Sequence, residues 1–170
     1  MFKRNRKLLS ALTLLACSGY AGVSHGADGT ITFTGELGGE CSVGSYTESV
    51  DFGRVSTADF NTVNSESDTQ NFTIGILCTD TDTLPSLTFE GETDSAYSLG
   101  FANTGGSAEG IAARLIYNGN TIRPNEVTSL TNVTTVDEAQ TFTFDSRLRR
   151  TGDMVKGTIE IPVTFTLSFE

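Results

Sequence analysis

The stretch Gly157-Thr158-Ile159-Glu160-Ile161-Pro162-Val163-Thr164-Phe165-Thr166-Leu167-Ser168-Phe169-Glu170 alternates without a break. Ile159, Ile161, Val163, Phe165, Leu167 and Phe169 fall on one side, and Thr158, Glu160, Pro162, Thr164, Thr166 and Ser168 on the other. Strict period two marks a strand that buries one face. The apolar row continues to the penultimate residue, where chains normally fray unless a sheet ties them down. Such a strand predicts a groove that something else must cover. Pro162 removes one ladder donor and favours an edge or a bulge, so one side of this strand is expected to be incompletely paired.

Near the other end, Gly29, Ile31, Phe33, Gly35 and Leu37 alternate with Thr30, Thr32, Thr34 and Glu36. This second half-apolar strand lies just before Cys41. Complementary strands at opposite ends of one chain predict head-to-tail pairing between molecules, a heterologous contact that builds open filaments rather than closed rings. Burying Ile31, Phe33 and Leu37 at roughly 1.5–3 kcal/mol each offers about 5–9 kcal/mol. That is comparable with the whole stability of a domain, so the subunit alone is expected to be marginal. An uncovered groove is also an aggregation hazard.

Residues 1–26 read as an export signal: Lys3, Arg4, Arg6 and Lys7 are basic, Leu8 to Cys17 is a short apolar run, and Ser24 and Gly26 supply small residues before Ala27. An apolar run of about ten residues is too short to span a bilayer, so no transmembrane segment is expected. Leu14-Leu15-Ala16-Cys17 also resembles a lipoprotein signal, although Leu15 stands where a small residue is usual. Cleavage leaves about 144 of the 170 residues, enough for one domain with a single core. It also leaves seven of the 11 basic residues against 21 acidic ones, a net charge of −14. That balance argues against nucleic acid and anionic lipid as partners. Cys41 and Cys78 remain as an even pair in an exported chain and read as one disulfide. Closing a loop of roughly 38 residues is worth about 3–4 kcal/mol in the chain-entropy account.

Between the termini almost everything reads as strand and turn. Strands are expected over residues 71–78, 84–90, 97–101, 110–117 and 141–148. Asn118-Gly119 is the strongest hairpin signal, and Thr151-Gly152-Asp153 is read as the turn into the final strand. No segment carries a helical stripe over three turns. The fold class is all-β, a sandwich or barrel.

The catalytic inventory is thin. The single histidine, His25, lies in the export signal, so neither Ser-His-Asp nor Cys-His machinery can be assembled after cleavage. Gly105-Gly106-Ser107-Ala108-Glu109 ends in glutamate where a nucleophile elbow needs glycine. Zinc sites lack histidine and spare thiols. Asp80-Thr81-Asp82 begins like a calcium loop without its third acidic ligand. No enzyme, cofactor or metal site is therefore expected. Arg147, Arg149 and Arg150 form the one basic cluster, either a solvated strand end or a patch that docks an acidic neighbour. Tyr46, Tyr97, Phe101 and Tyr117 either belong to the core or line a sugar-binding surface.

Taken together, the chain resembles the pilin subunits of chaperone–usher fimbriae of the type 1 and P pilus kind. The resemblance rests on Gly29 to Leu37 followed by Cys41, on Val50-Asp51-Phe52-Gly53-Arg54-Val55, and on Phe72 to Cys78. It is completed by Gly110 to Ile116, by Gly157 fourteenth from the end, and by the penultimate aromatic Phe169. Family members usually carry tyrosine at the penultimate position, so Phe169 keeps the ring and loses the phenol. The resemblance implies an incomplete immunoglobulin-like β-sandwich that lacks its seventh strand. It implies residues 1–26 as signal peptide, 27–39 as an N-terminal donor-strand extension, and 40–170 as the pilin domain.

Its further implications are partners and roles. A periplasmic chaperone lends a strand to the groove lined by Gly157, Ile159, Ile161, Val163, Phe165, Leu167 and Phe169, and basic residues in its cleft hold the Glu170 carboxylate. At an outer-membrane usher the neighbouring subunit's extension replaces that strand. Leu37 starts the exchange, Gly35 fits a shallow pocket, Phe33 and Ile31 complete it, and Gly29 fills the last position weakly. The expected location is a fimbrium at the cell surface, reached through the periplasm, with a part in cell adhesion. A one-domain adhesive or adaptor subunit that binds a host receptor, and an autonomous exported β-sandwich, are the competing readings.

Overall fold

A computed structural model of the protein describes residues 40–81, 83–131 and 133–169, all within one compact unit, Glu36–Glu170. Among the described residues nine strands make two sheets: β1 Cys41–Tyr46, β2 Gln70–Cys78, β3 Pro85–Glu90, β4 Phe101–Ala102, β5 Glu109–Tyr117, β6 Asn120–Ile122, β7 Val127–Ser129, β8 Gln140–Val155 and β9 Thr164–Phe169. The larger sheet runs β1-β2-β8-β5-β4, with β6 also on β5, and the smaller runs β7-β3-β9. Among the described residues the architecture is an all-β sandwich open along one seam. A single-turn 3₁₀ helix, Thr57–Asp59, is closed by a capping box between Ser56 and Asp59.

Period-two patterning places the core. Ile74 and Ile76 of β2, Leu87 and Phe89 of β3, Phe142 and Phe144 of β8, and Leu115 and Tyr117 of β5 all point between the sheets and are buried. Phe144 sits at the centre, with its ring centroid 5.1 Å from Phe72, 5.4 Å from Phe89 and 5.0 Å from Tyr117. A second cluster, Phe60, Ile111 and Leu148, lies toward the opposite end from the disulfide. Cys41 and Cys78 are bonded and face each other directly in the β1–β2 ladder, with Cα atoms 4.1 Å apart. The Thr79 amide donates to the Glu40 carbonyl beside them, so the cysteines occupy the close-set position between hydrogen-bonded pairs.

Three sequence expectations can be compared in physical detail, and two of them change. Thr151-Gly152-Asp153 does not reverse the chain: β8 continues through it to Val155, and the turn-like residues form a bulge. Ile111 faces Arg150 whereas Glu109 faces Val155, so β8 carries the extra residues. Gly110 permits this, with φ +72°, and a Cβ there would run into the Asp153 carbonyl. Residues 97–100 form a turn, leaving only Phe101–Ala102 as strand. The Asp94 carboxylate accepts from the amides of Ala96 and Tyr97, which holds the backbone in a turn. The Asn118-Gly119 hairpin forms as expected, with φ +47° and +79°.

Candidate functional site

The seam opens between β1 and β9. Each is the outer strand of its sheet, and among the described residues neither is hydrogen-bonded on that side. Tyr46, the last residue of β1, stands edge-on to Phe165 near the start of β9 at 5.4 Å, so the two strands run antiparallel across the gap. Beneath them lies a cavity of about 1180 Å³. Phe72, Ile74 and Phe89 form its floor at the centre, and Ile111, Leu148, Met154 and Phe60 line its open end, away from the disulfide.

The residues of the final strand behave in two ways. From Thr164 to Phe169 the chain is in full register with β3, with Leu167 opposite Leu87 and Phe165 opposite Phe89. Residues 157–163 lie outside the β-ladders. They are tied instead to residues 103–108: the Ala108 amide donates to the Thr158 carbonyl, the Gly105 amide to the Glu160 carbonyl, and the Glu160 amide to Asn103 Oδ1. Gly157 lies so close to that loop that a Cβ would meet Ala108 N at 2.5 Å. Pro162 falls just before the β9 ladder, where its missing donor breaks no strand pairing.

Along the apolar row, Ile161, Val163, Phe165 and Leu167 are half-buried against the core, while Ile159 stays 38% exposed and Phe169 41% exposed. Apolar side chains at this depth, in an unpaired edge, mark a face that is incompletely covered by the described residues. Gly29, Ile31, Phe33, Gly35, Leu37 and Glu170 lie outside the described residues.

Sequence reasoning missed the open-end wall. Phe52, Val55 and Met154 pack on Phe60, Ile111 and Leu148, and the segment that carries Phe52 and Val55 has no strand period to announce it. It also missed Glu66. The Glu66 carboxylate accepts from Arg149 at 2.7 Å, Arg114 at 2.9 Å and Arg147 at 3.4 Å. Burial pushes its pKa up, but the hydrogen bonds and charges of Arg149 and Arg114 outweigh that and hold it below the ordinary value. The Arg149 guanidinium also lies 4.4 Å over the Tyr97 ring. Arg150 turns elsewhere and donates to the carbonyls of Phe60 and Gly152. The arginine cluster is thus a staple that fastens the 60–67 segment to β5 and β8, and three neighbouring cations were the only hint in the sequence that a carboxylate must lie among them. Of the aromatic candidates, Phe101 and Tyr117 are core, whereas Tyr46 is 53% exposed at the seam.

An all-β sandwich whose two facing edge strands are unpaired among the described residues is the class that fold and site define. The family model described as "Fimbrial protein" matches residues 28–170, and the chain belongs to that family. Among curated proteins, none matches by sequence. Among solved structures the chain is similar to the P pilus rod subunit PapA, at 17% identity and TM-score 0.64, covering 76% of this chain and 99% of that one. It is equally similar to a chaperone–usher pilus subunit from a structure concerned with rod uncoiling, at 18% identity and TM-score 0.64, covering 84% and 96%. The CupB6 tip adhesin of Pseudomonas aeruginosa matches at 18% identity and TM-score 0.57, over 67% of this chain and 33% of the adhesin. Among the described residues no helix is long and apolar enough to cross a membrane.

Proposed function

We propose that this fimbrial subunit polymerises by donor-strand exchange, residues 27–39 of one copy filling the seam between β1 and β9 of the next. The observation that carries the reading is the seam itself, unpaired among the described residues, with its half-exposed row from Ile159 to Phe169 above a cavity of about 1180 Å³. A peptide strand laid into a sheet edge gains main-chain hydrogen bonds for affinity and alternate-residue pockets for specificity, and donor-strand complementation of pilins is itself a recognised instance of that mode.

Direction follows from side-chain size. The open end offers the deep pocket of Phe60, Ile111, Leu148 and Met154. Of the two ends of the extension, only Leu37 has a side chain to fill it; Gly29 has none. The inserted strand therefore runs antiparallel to β9, the pairing with the better hydrogen-bond geometry, and the donor's body follows at the open end. Before assembly a periplasmic chaperone covers the same seam and holds Glu170, and an outer-membrane usher hosts the exchange. Residues 1–26 are removed on export, and the product is a surface fimbria that contributes to adhesion.

Leu37→Asp tests the mechanism. It should leave the complex with the chaperone intact, because Leu37 is outside the groove's own residues, and abolish subunit addition. Fibres of normal length from that variant would overturn the exchange.

A further inference from the structure

Every basic residue in the described region but two is engaged. Arg114, Arg147 and Arg149 hold Glu66, Arg123 pairs with Glu126, and Arg150 donates to backbone carbonyls. Arg54 and Lys156 have neither a hydrogen bond nor an ion pair among the described residues. In a chain with 21 acidic residues that is unusual, since carboxylates outnumber cations. Both side chains are exposed, and both line the cavity at its open end. Glu48, Asp51 and Glu160 lie on the same rim, yet neither cation pairs with them. Asp51 instead accepts from the Gly53 amide, and the Glu160 side chain lies against Gly105.

We propose that Arg54 and Lys156 form a carboxylate subsite on the groove rim, and that its occupant is Glu36 of a second copy of this chain. The inference rests on the donor-strand reading and adds to it a charged contact outside the apolar pockets. The sequence of the extension supports the choice of occupant. Its polar face reads Asp28, Thr30, Thr32, Thr34 and Glu36, so it is charged only at its two ends. With Leu37 in the open-end pocket, Glu36 points out of the groove beside the rim cations, and Asp28 is carried to the disulfide end. A strand shifted by two residues keeps its apolar alternation but moves Glu36 away from Arg54 and Lys156. The pair therefore acts on register, which alternating apolar residues alone specify weakly in a strand that carries glycines at two of its inward positions. It also offsets the repulsion between an acidic extension and a rim that carries three carboxylates.

The test uses fibres of the full chain and follows subunit loss in detergent on warming, with fibre length from electron microscopy. Glu36→Lys, and Arg54→Glu with Lys156→Glu, should each speed subunit loss by about two- to fivefold, the size expected of exposed ion pairs. Combining all three reversals should restore the wild-type rate, and added salt should narrow the differences. Rates unchanged by either reversal, or a triple variant that is worse than both, would sink the subsite. Leu37→Asp distinguishes failure of the subsite from failure of the exchange. If it abolishes fibres while the reversals do nothing, only the rim subsite fails. Fibres that persist with Leu37→Asp remove the donor-strand reading and the subsite with it.

Discussion

Supplying the missing strand in the same molecule should raise the melting temperature by tens of degrees. The comparison is between residues 40–170 alone and the same residues with 28–38 appended through a flexible linker after Glu170. Burial of Ile31, Phe33 and Leu37 contributes about 5–9 kcal/mol at roughly 1.5–3 kcal/mol per side chain. The receiving side adds to this, because Ile159 and Phe169 are 38% and 41% exposed and become covered. Closing the linker loop costs a few kcal/mol, growing only slowly with its length. Domains of this size shift by about 3–5 °C per kcal/mol, so a net gain of about 5–8 kcal/mol corresponds to roughly 15–40 °C. Circular dichroism on warming reads the shift, and size-exclusion chromatography checks that the appended form is monomeric. Phe33→Ala in the appended strand should return about 3–5 kcal/mol of the gain. Melting temperatures that agree within about 3 °C would mean the seam is already closed, and the reasoning from unpaired edges would be refuted.

Two further predictions concern features that stand apart from the seam. Glu66 has a folded pKa below the ordinary 4.5, so its contribution to stability is present above about 4.5 and lost as the pH falls through the lower folded value. Urea unfolding from pH 7 to 3 should therefore show wild type falling toward Glu66→Gln at the acid end, and parallel curves would contradict the staple. Gly110→Ala should cost more than Gly119→Ala, although both sites have positive φ. The backbone strain of about 1–2 kcal/mol is common to both, but only at Gly110 does a Cβ meet a carbonyl, that of Asp153, while Gly119 faces open space. Equal losses in chemical denaturation would mean the bulge yields.

Much of the fold was legible because period-two burial is a local property. Residues 71–78, 110–117 and the first half of β8 declare which side chains face inward, and the structure places Ile74, Ile76, Phe142 and Phe144 there. Turn chemistry was less informative. Thr151-Gly152-Asp153 has the composition of a reversal, yet pairing with β5 on either side turned it into a bulge. Tyr97 sits among residues that read as strand, but one carboxylate, Asp94, captured the amides and made a turn. In both places a tertiary or side-chain partner outweighed propensity.

The sequence by itself determined an all-β chain, a disulfide between Cys41 and Cys78, and an apolar row from Ile159 to Phe169, since alternation and cysteine pairing need only local spacing and a redox compartment. It could not say where the β9 ladder starts. Residues 157–163 carry the same alternation as Thr164–Phe169, and only the reach of β3 and the approach of residues 103–108 separate them. Nor could it assemble the open-end wall, in which Phe60, Ile111 and Leu148 come from three distant segments, or bring Glu66 among Arg114, Arg147 and Arg149. Those contacts join residues far apart in the chain, and which of them form is settled by the packing of one sheet on the other.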